Sequence, residues 1–116
     1  MAAKNNYDGE SELYNQILRA GIEIPVRQLR FSDVRKWKAD FGWPHHSPKL
    51  IVEYDGGTWA RMGHSTGAAI DDDNEKLNAA VMHGYYVMRF TKYNVIDGSA
   101  IRLITWFAIT WQHYYG

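Results

Sequence analysis

The chain has 116 residues, of which 13 are basic and 13 acidic, so its formal net charge is zero. That length allows one domain with a core of its own and leaves no room for a second. Because there is no cysteine, disulfide scaffolds, thiol catalysis and cysteine-ligated zinc are excluded, and a reducing cytoplasm is favoured. The sequence has no run of about 18 apolar residues, so no membrane span is predicted.

The hydrophobic pattern predicts helices and strands in the order α-β-β-β-α-β-α. Residues 1–10 are polar and are expected to form a flexible leader, so that a single domain occupies residues 11–116. Ser11 is the candidate cap of the first helix, and Gly21 ends it. The predicted elements are helices over residues 12–20, 71–83 and 99–114, and strands over residues 26–31, 35–43, 49–55 and 85–91.

The strand over residues 49–55 has an apolar centre and an acidic end. Glu53 and Asp55 are two residues apart, so strand alternation places both carboxylates on one face. Because a predicted helix lies between this strand and the last one, the two are expected to be parallel neighbours. The predicted fold is therefore α/β, with a mixed central sheet of four strands flanked by helices.

The strand over residues 35–43 alternates between apolar and polar side chains. Alternation predicts that its apolar residues share one side and its polar residues the other. If Pro44 and Pro48 bracket a hairpin turn, Asp40 lies near Glu53. The apolar set is Trp37, Ala39, Phe41 and Trp43.

The last predicted helix, residues 99–114, is apolar on nearly every side. Such a helix needs cover on several faces. In a chain this short, a second copy is one source of that cover, so a homodimer through the C-terminal helix is a hypothesis to test.

The zero net charge conceals a segregation of charge. Residues 27–38 contain five basic side chains and one acidic side chain, Asp33. A local basic stripe can bind phosphate whatever the total charge of the chain. A solvated strand face is the alternative, because short basic runs are common on protein surfaces. The five basic residues are Arg27, Arg30, Arg35, Lys36 and Lys38.

Asp40, Glu53 and Asp55 form a candidate acidic site. Two carboxylates at the end of an apolar strand repel each other unless a cation lies between them. Three carboxylates without a cysteine suit a hard ion, Mg²⁺ or Mn²⁺. The alternative is that Asp40 and Glu53 form ordinary ion pairs with Lys38 and Lys76.

Beyond these patterns, several longer motifs are spread along the chain. They are RKWKADFGWP (35–44), KLIVEYDGG (49–57), His64 within a glycine-rich loop, DNEK (73–76) with NAA (78–80), and GYYVMRFT (84–91). Together they resemble the PD-(D/E)XK nuclease superfamily, in particular the small branch of very-short-patch repair endonucleases and related phage and bacterial endonucleases. The resemblance covers roughly residues 11–105.

The resemblance implies a restriction-endonuclease-like core with its active site at the rim of the second and third strands. Asp40 and Glu53 take the places of the two family acids and would be metal ligands, with Asp55 beside them. Ala39 stands where the family has proline, and Asp55 stands where the superfamily usually has lysine, as is frequent in this branch. Lys76, on the helix after the loop, could orient the attacking water instead.

The resemblance also implies roles for residues outside the acidic site. His64 would protonate the leaving oxygen or steer the water, and Glu12 stands where relatives often place an acid facing the site. Trp43 and Trp59 bracket the acidic pair along the chain and could stack on bases or wedge between them. Packing in the core or at its rim is the alternative for each tryptophan.

These implications predict a Mg²⁺-dependent endonuclease that hydrolyses phosphodiester bonds in DNA, in phage or bacterial DNA processing or repair, in the bacterial cytoplasm. The basic stripe would grip the phosphates that flank the cut. The alternatives are a resolvase of Holliday junctions or branched DNA, and a DNA-binding module of the same fold that does not cut. The expected partner is DNA, not a membrane.

Overall fold

A computed structural model describes residues 7–56 and 67–115, with side chains as far as Trp111. The described elements are α1 (Gly9–Arg19), β1 (Val26–Arg30), β2 (Lys38–Trp43), β3 (Lys49–Tyr54), α2 (Gly67–Met82), β4 (Tyr85–Phe90), α3 (Lys92–Ile96) and α4 (Ser99–Tyr115). The chain is thus an α/β protein, as the hydrophobic pattern predicts. Within the described ranges, no helix has the length and apolar character needed to span a membrane.

The four strands form one mixed sheet in the order β1-β2-β3-β4. β1 pairs antiparallel with β2, and β2 pairs antiparallel with β3 across the turn between Pro44 and Pro48. β4 pairs parallel with β3 after the crossover that contains α2. The expected hairpin and the expected parallel neighbours are both confirmed.

The sheet buries apolar side chains on both of its faces. One core lies between the sheet and the helices α1, α3 and α4, where Leu50 and Val52 of β3 meet Leu13 and Ile104. The second core is smaller and includes Ile51 of β3 with residues of α2 and β4. Because both faces are covered, β3 carries three consecutive buried residues, which is typical of a central strand.

The prediction that four apolar residues of the second strand share one face is wrong. Phe41 and Trp43 belong to the larger core, whereas Trp37 and Ala39 pack in the smaller core with Leu29. The change of face coincides with Gln28 of β1, whose φ of 53° is uncommon for a residue other than glycine. Local departure from regular strand geometry therefore breaks the alternation that the sequence pattern assumes.

Several element boundaries differ from the predicted ones for identifiable reasons. β2 begins at Lys38, because the Ser32 hydroxyl accepts the backbone N–H groups of Val34 and Arg35 and holds them in a turn. α1 begins at Gly9, since the side chain that caps it is the carboxylate of Asp8 and not the hydroxyl of Ser11. The helix therefore includes two residues that the sequence pattern places in the leader.

The second half of the chain contains further differences. α2 begins at Gly67, so the acidic run 71–73 lies inside the helix rather than at its N-terminus. The short helix α3 was not predicted; a capping box between Thr91 and Asn94 starts it.

Candidate functional site

The acidic site begins where β2 and β3 separate. Their ladder ends at the pair Phe41–Val52, and the next residue on each strand is acidic, Asp40 on β2 and Glu53 on β3. The Asp40 carboxylate accepts the backbone N–H of Tyr54 at 2.7 Å. Asp40 therefore holds the two strands together beyond the ladder while its charge stays beside Glu53.

Glu53 forms a shielded ion pair with a lysine from α2. The ammonium of Lys76 lies 2.9 Å from Oε1 of Glu53, and the two side chains are only 16% and 13% exposed. At that distance the contact is a charge-assisted interaction between the ammonium and the carboxylate. Ion pairing of Glu53 with Lys76 was the ordinary alternative left open by the sequence, and it is confirmed.

Burial dominates the electrostatics of Glu53. Desolvation raises the pKa of its carboxyl above the ordinary value, the Asp40 charge adds to that rise, and Lys76 and then Arg89 oppose it. Burial therefore favours the binding of a proton or of a further cation by this carboxyl, even though Lys76 is adjacent.

Arg89 connects the remaining acids of the site. One guanidinium nitrogen lies 2.9 Å from Oδ2 of Asp55 at the end of β3, and the other lies 2.9 Å from Oδ2 of Asp73 on α2. The parallel register places Arg89 directly beside Glu53. The end of β3 is therefore joined to α2 by two cations, Lys76 and Arg89.

These side chains line an open cleft of about 390 Å³ between the strand ends and α2. At its edge, the Arg35 guanidinium stacks over the Trp37 ring at 4.5 Å and pairs with Asp72 and Glu75 of α2. The lining residues are Trp37, Glu53, Tyr54, Asp55, Ala69, Asp72, Asp73, Lys76 and Arg89.

The three carboxylates predicted as metal ligands are not assembled around one point. Within the part of the chain that the structure describes, no three histidine, cysteine or acidic side chains are grouped so that they could hold a metal ion. Asp55 is engaged by Arg89, and Asp40 is bonded to a backbone N–H rather than to Lys38. The alternative pairing of Asp40 with Lys38 is therefore not found among the described residues.

Asp40 and Glu53 nevertheless fit a hard divalent cation as a pair. They are oxygen donors at facing positions where β2 and β3 separate, and Glu53 lines the cleft. Burial also favours any cation that neutralises Glu53. The two carboxylates would hold such an ion, with water completing its coordination.

Other residues that the resemblance assigned to the site lie elsewhere or outside the description. Glu12 forms an exposed ion pair with Arg19 on its own helix at 3.0 Å and does not line the cleft. His64 and Trp59 lie outside the described residues.

Trp43 is not available as a contact for bases, so that hypothesis is wrong. Its side chain is 2% exposed, its indole N–H donates to the carbonyl of Glu23 at 2.7 Å, and its ring packs on Trp111. The core alternative therefore applies to this residue.

The basic stripe is divided by its ion pairs. Arg27 pairs with Glu10 at 3.0 Å and lies over the Tyr14 ring, facing α1. Arg35 instead pairs with Asp72 and Glu75 of α2. These two arginines are therefore neutralised by acids of two different helices.

The other three cations of the stripe remain together. Arg30 and Lys38 are direct partners across β1 and β2, and Lys36 lies two residues before the start of β2. All three are exposed, and none forms an ion pair with a residue that the structure describes. Like charges placed opposite each other destabilise a sheet, so this basic patch of Arg30, Lys36 and Lys38 favours an anionic partner.

From the sequence, Asp73 is a possible site residue and Arg89 could either reach the site or pair with an acid, but neither was assigned a role. The available signal was that Arg89 is the single charged residue of a strand otherwise made of apolar and tyrosine side chains. Asp73 precedes Lys76 by three residues, a spacing that puts both on one helix face. Combined with the parallel pairing of β3 and β4, these two observations would have been enough to include Arg89 and Asp73 in the predicted site.

Comparisons with known proteins add no identification. No protein-family model, no curated protein and no solved structure matches this chain.

Proposed function

We propose that this protein is a divalent-metal-dependent DNA endonuclease that hydrolyses phosphodiester bonds, with a restriction-endonuclease-like core. The topology supports the proposal, because an antiparallel β1-β2-β3 unit is followed by a helical crossover to a parallel β4. The two acids with the closest motif resemblance, Asp40 and Glu53, lie together where β2 and β3 separate.

The single observation that carries the proposal is the Glu53–Lys76 pair beside Asp40 at an open cleft. A buried carboxylate whose pKa is raised, next to a second carboxylate, is an unfavourable arrangement for stability alone. A buried acid in a cleft whose pKa is shifted by desolvation and by specific charged neighbours is a candidate functional residue. The arrangement is therefore explained best by a reaction that needs a cation and an activated water.

Asp40 and Glu53 would hold Mg²⁺ or Mn²⁺. Such an ion, when bound, lowers the pKa of water and neutralises charge on the scissile phosphate. Lys76 would donate hydrogen bonds to the attacking water and to a phosphate oxygen at the inner end of the cleft. The residue two positions after Glu53 is Asp55, which carries no positive charge. Lys76 would therefore supply the positive charge in its place.

The basic patch of Arg30, Lys36 and Lys38 would bind phosphates that flank the cut. It lies at the end of β2 where Asp40 is located, so one DNA backbone could reach both the patch and the cleft. Phosphate contacts of this kind position the duplex and carry no sequence information.

A second candidate is a DNA-binding module of the same fold that does not cut. The observation that favours it is that Glu53 and Asp55 are already neutralised by Lys76 and Arg89. A third, a resolvase of branched DNA, needs two active sites. It is favoured by the face of α4 on which Leu103, Trp106 and Ile109 are exposed, because a homodimer could cover that face.

Cleavage of supercoiled plasmid and of a synthetic four-way junction, with Mg²⁺, with Mn²⁺ and with chelator, separates these candidates. We expect metal-dependent cutting that Asp40→Asn and Glu53→Gln each abolish while folding and DNA binding are retained. Glu23→Gln, an exposed carboxylate away from the cleft, is the matched control and should cut normally.

The outcomes of this assay differ for each candidate. Binding without cutting in either metal would support the non-catalytic module and contradict the endonuclease. Preference for the junction together with a dimer in light scattering would identify the resolvase, and a monomer would exclude it.

A further inference from the structure

Arg89 uses its two terminal nitrogens on two different carboxylates. Guanidinium groups often bind one carboxylate through two parallel hydrogen bonds. Here the contacts, each 2.9 Å long, go to Asp55 on one side and to Asp73 on the other. The positive centre therefore lies between two acids that belong to different elements, β3 and α2.

This bridge is partly withdrawn from water. The side chains of Asp55, Asp73 and Arg89 are 18%, 25% and 32% exposed, so the repulsion between the two carboxylates would be poorly screened without a cation. By contrast, Arg35 also joins two acids of the cleft rim, but all its partners are at least half exposed. Buried charges in proteins are paired or coordinate metals, and of these two bridges only the one through Arg89 is mostly withdrawn from water.

We infer that the Arg89 guanidinium takes the place of a second divalent cation, between Asp55 and Asp73. The inference rests on the proposed function, in which Asp40 and Glu53 hold one divalent ion. It adds that the cleft works with that single ion and needs no second one. Arginine stays protonated in proteins, so the substitution is permanent across the working pH range. The dependence of cleavage rate on metal concentration is then expected to be non-cooperative.

The number of Mn²⁺ ions bound per chain, measured by electron paramagnetic resonance of free Mn²⁺, tests this directly. Arg89→Met should bind one more ion than the unmodified protein. The gain should disappear in the Arg89→Met, Asp73→Asn double variant, because the new site loses a ligand. Arg35→Met removes an arginine that also bridges two acids, and as the matched control it should leave the number unchanged.

Circular dichroism establishes that each variant is folded. If Arg89→Met does not fold, Arg89→Gln, which retains hydrogen-bond donors and removes the charge, is expected to give the same gain. Equal binding by the unmodified protein and the folded Arg89 variant overturns the inference and leaves the proposed function standing. If the unmodified protein binds no ion and the Arg89 variant binds one, the role of Arg89 is supported and the proposed metal site at Asp40 and Glu53 is contradicted.

Discussion

Lys76, on helix α2, places its ammonium 2.9 Å from Oε1 of Glu53 at the end of β3. The two residues are 23 positions apart, and the crossover between two parallel strands brings them together. Both side chains of the pair are mostly buried, and the ammonium has three donors, of which Oε1 takes at most one. Lys76 is therefore close enough to neutralise Glu53 and has donors left for a further group in the cleft.

Replacing Lys76 by Met should separate metal binding from cleavage. Removing the ammonium leaves Glu53 without its nearest cation, so Mn²⁺ affinity should increase. Cleavage at saturating metal should fall by about 10²–10³-fold, the usual effect of losing one donor to a developing charge. Lys92→Met, a lysine away from the cleft, is the control. Unchanged cleavage by Lys76→Met would remove Lys76 from the mechanism.

The titration of Glu53 should begin at a higher pH than that of an ordinary glutamate. Burial is the largest cause of the raised pKa and the Asp40 charge adds to it, while Lys76 lowers the pKa. Asp40→Asn should therefore lower the pKa of Glu53, and Lys76→Met should raise it further. Side-chain carboxyl chemical shifts followed by NMR measure all three, and an order other than this one would refute the electrostatic description of the site.

The same shift has a defined effect on stability. Between the pKa of Glu53 in the unfolded chain and its higher pKa in the fold, the folded state binds more protons. The contribution of Glu53 to stability should therefore decrease as pH rises through that interval. Urea unfolding at several pH values should show the unmodified protein losing stability relative to Glu53→Gln with rising pH. A constant difference would contradict the prediction.

Arg30→Gln, Lys36→Gln and Lys38→Gln should each weaken DNA binding to a similar extent for all sequences. Each removes one exposed cation, so the slope of log affinity against log salt should become less steep by roughly 0.9 for every phosphate that the variant no longer neutralises. Arg27→Gln is the matched control, since Arg27 is already paired with Glu10 and stacked on Tyr14. If Arg27→Gln had the larger effect, the DNA would lie on the α1 side of the sheet instead.

Trp43→Ala should destabilise the fold by about 3–5 kcal/mol, the usual cost of truncating a buried aromatic residue. The ring that this variant removes packs on Trp111 and bonds to the carbonyl of Glu23. Tyr93→Ala is the control: its side chain is 73% exposed and lies outside α4, so the change should stay within about 0.5 kcal/mol. Thermal unfolding measures both, and a negligible effect of Trp43→Ala would contradict its position in the core.

The topology could be predicted from the sequence because it depends on local patterns and short connections. The apolar centre of β3, the helix before β4 and the two prolines before β3 are local features, and together they predict a hairpin followed by a parallel neighbour. Side-chain alternation was less reliable: the unusual backbone of Gln28 coincides with the change of face near Ala39.

The sequence by itself determined that Asp40 and Glu53 are neighbours, because a short hairpin pairs their strands, and strand alternation brings Glu53 and Asp55 to the same cleft. Only the tertiary structure decided which cations neutralise them. Lys76 and Arg89 come from α2 and β4, and long flexible side chains can reach partners that no sequence spacing specifies. The same reason explains the basic stripe, whose arginines 27 and 35 are neutralised by acids of α1 and α2, leaving a smaller patch of Arg30, Lys36 and Lys38.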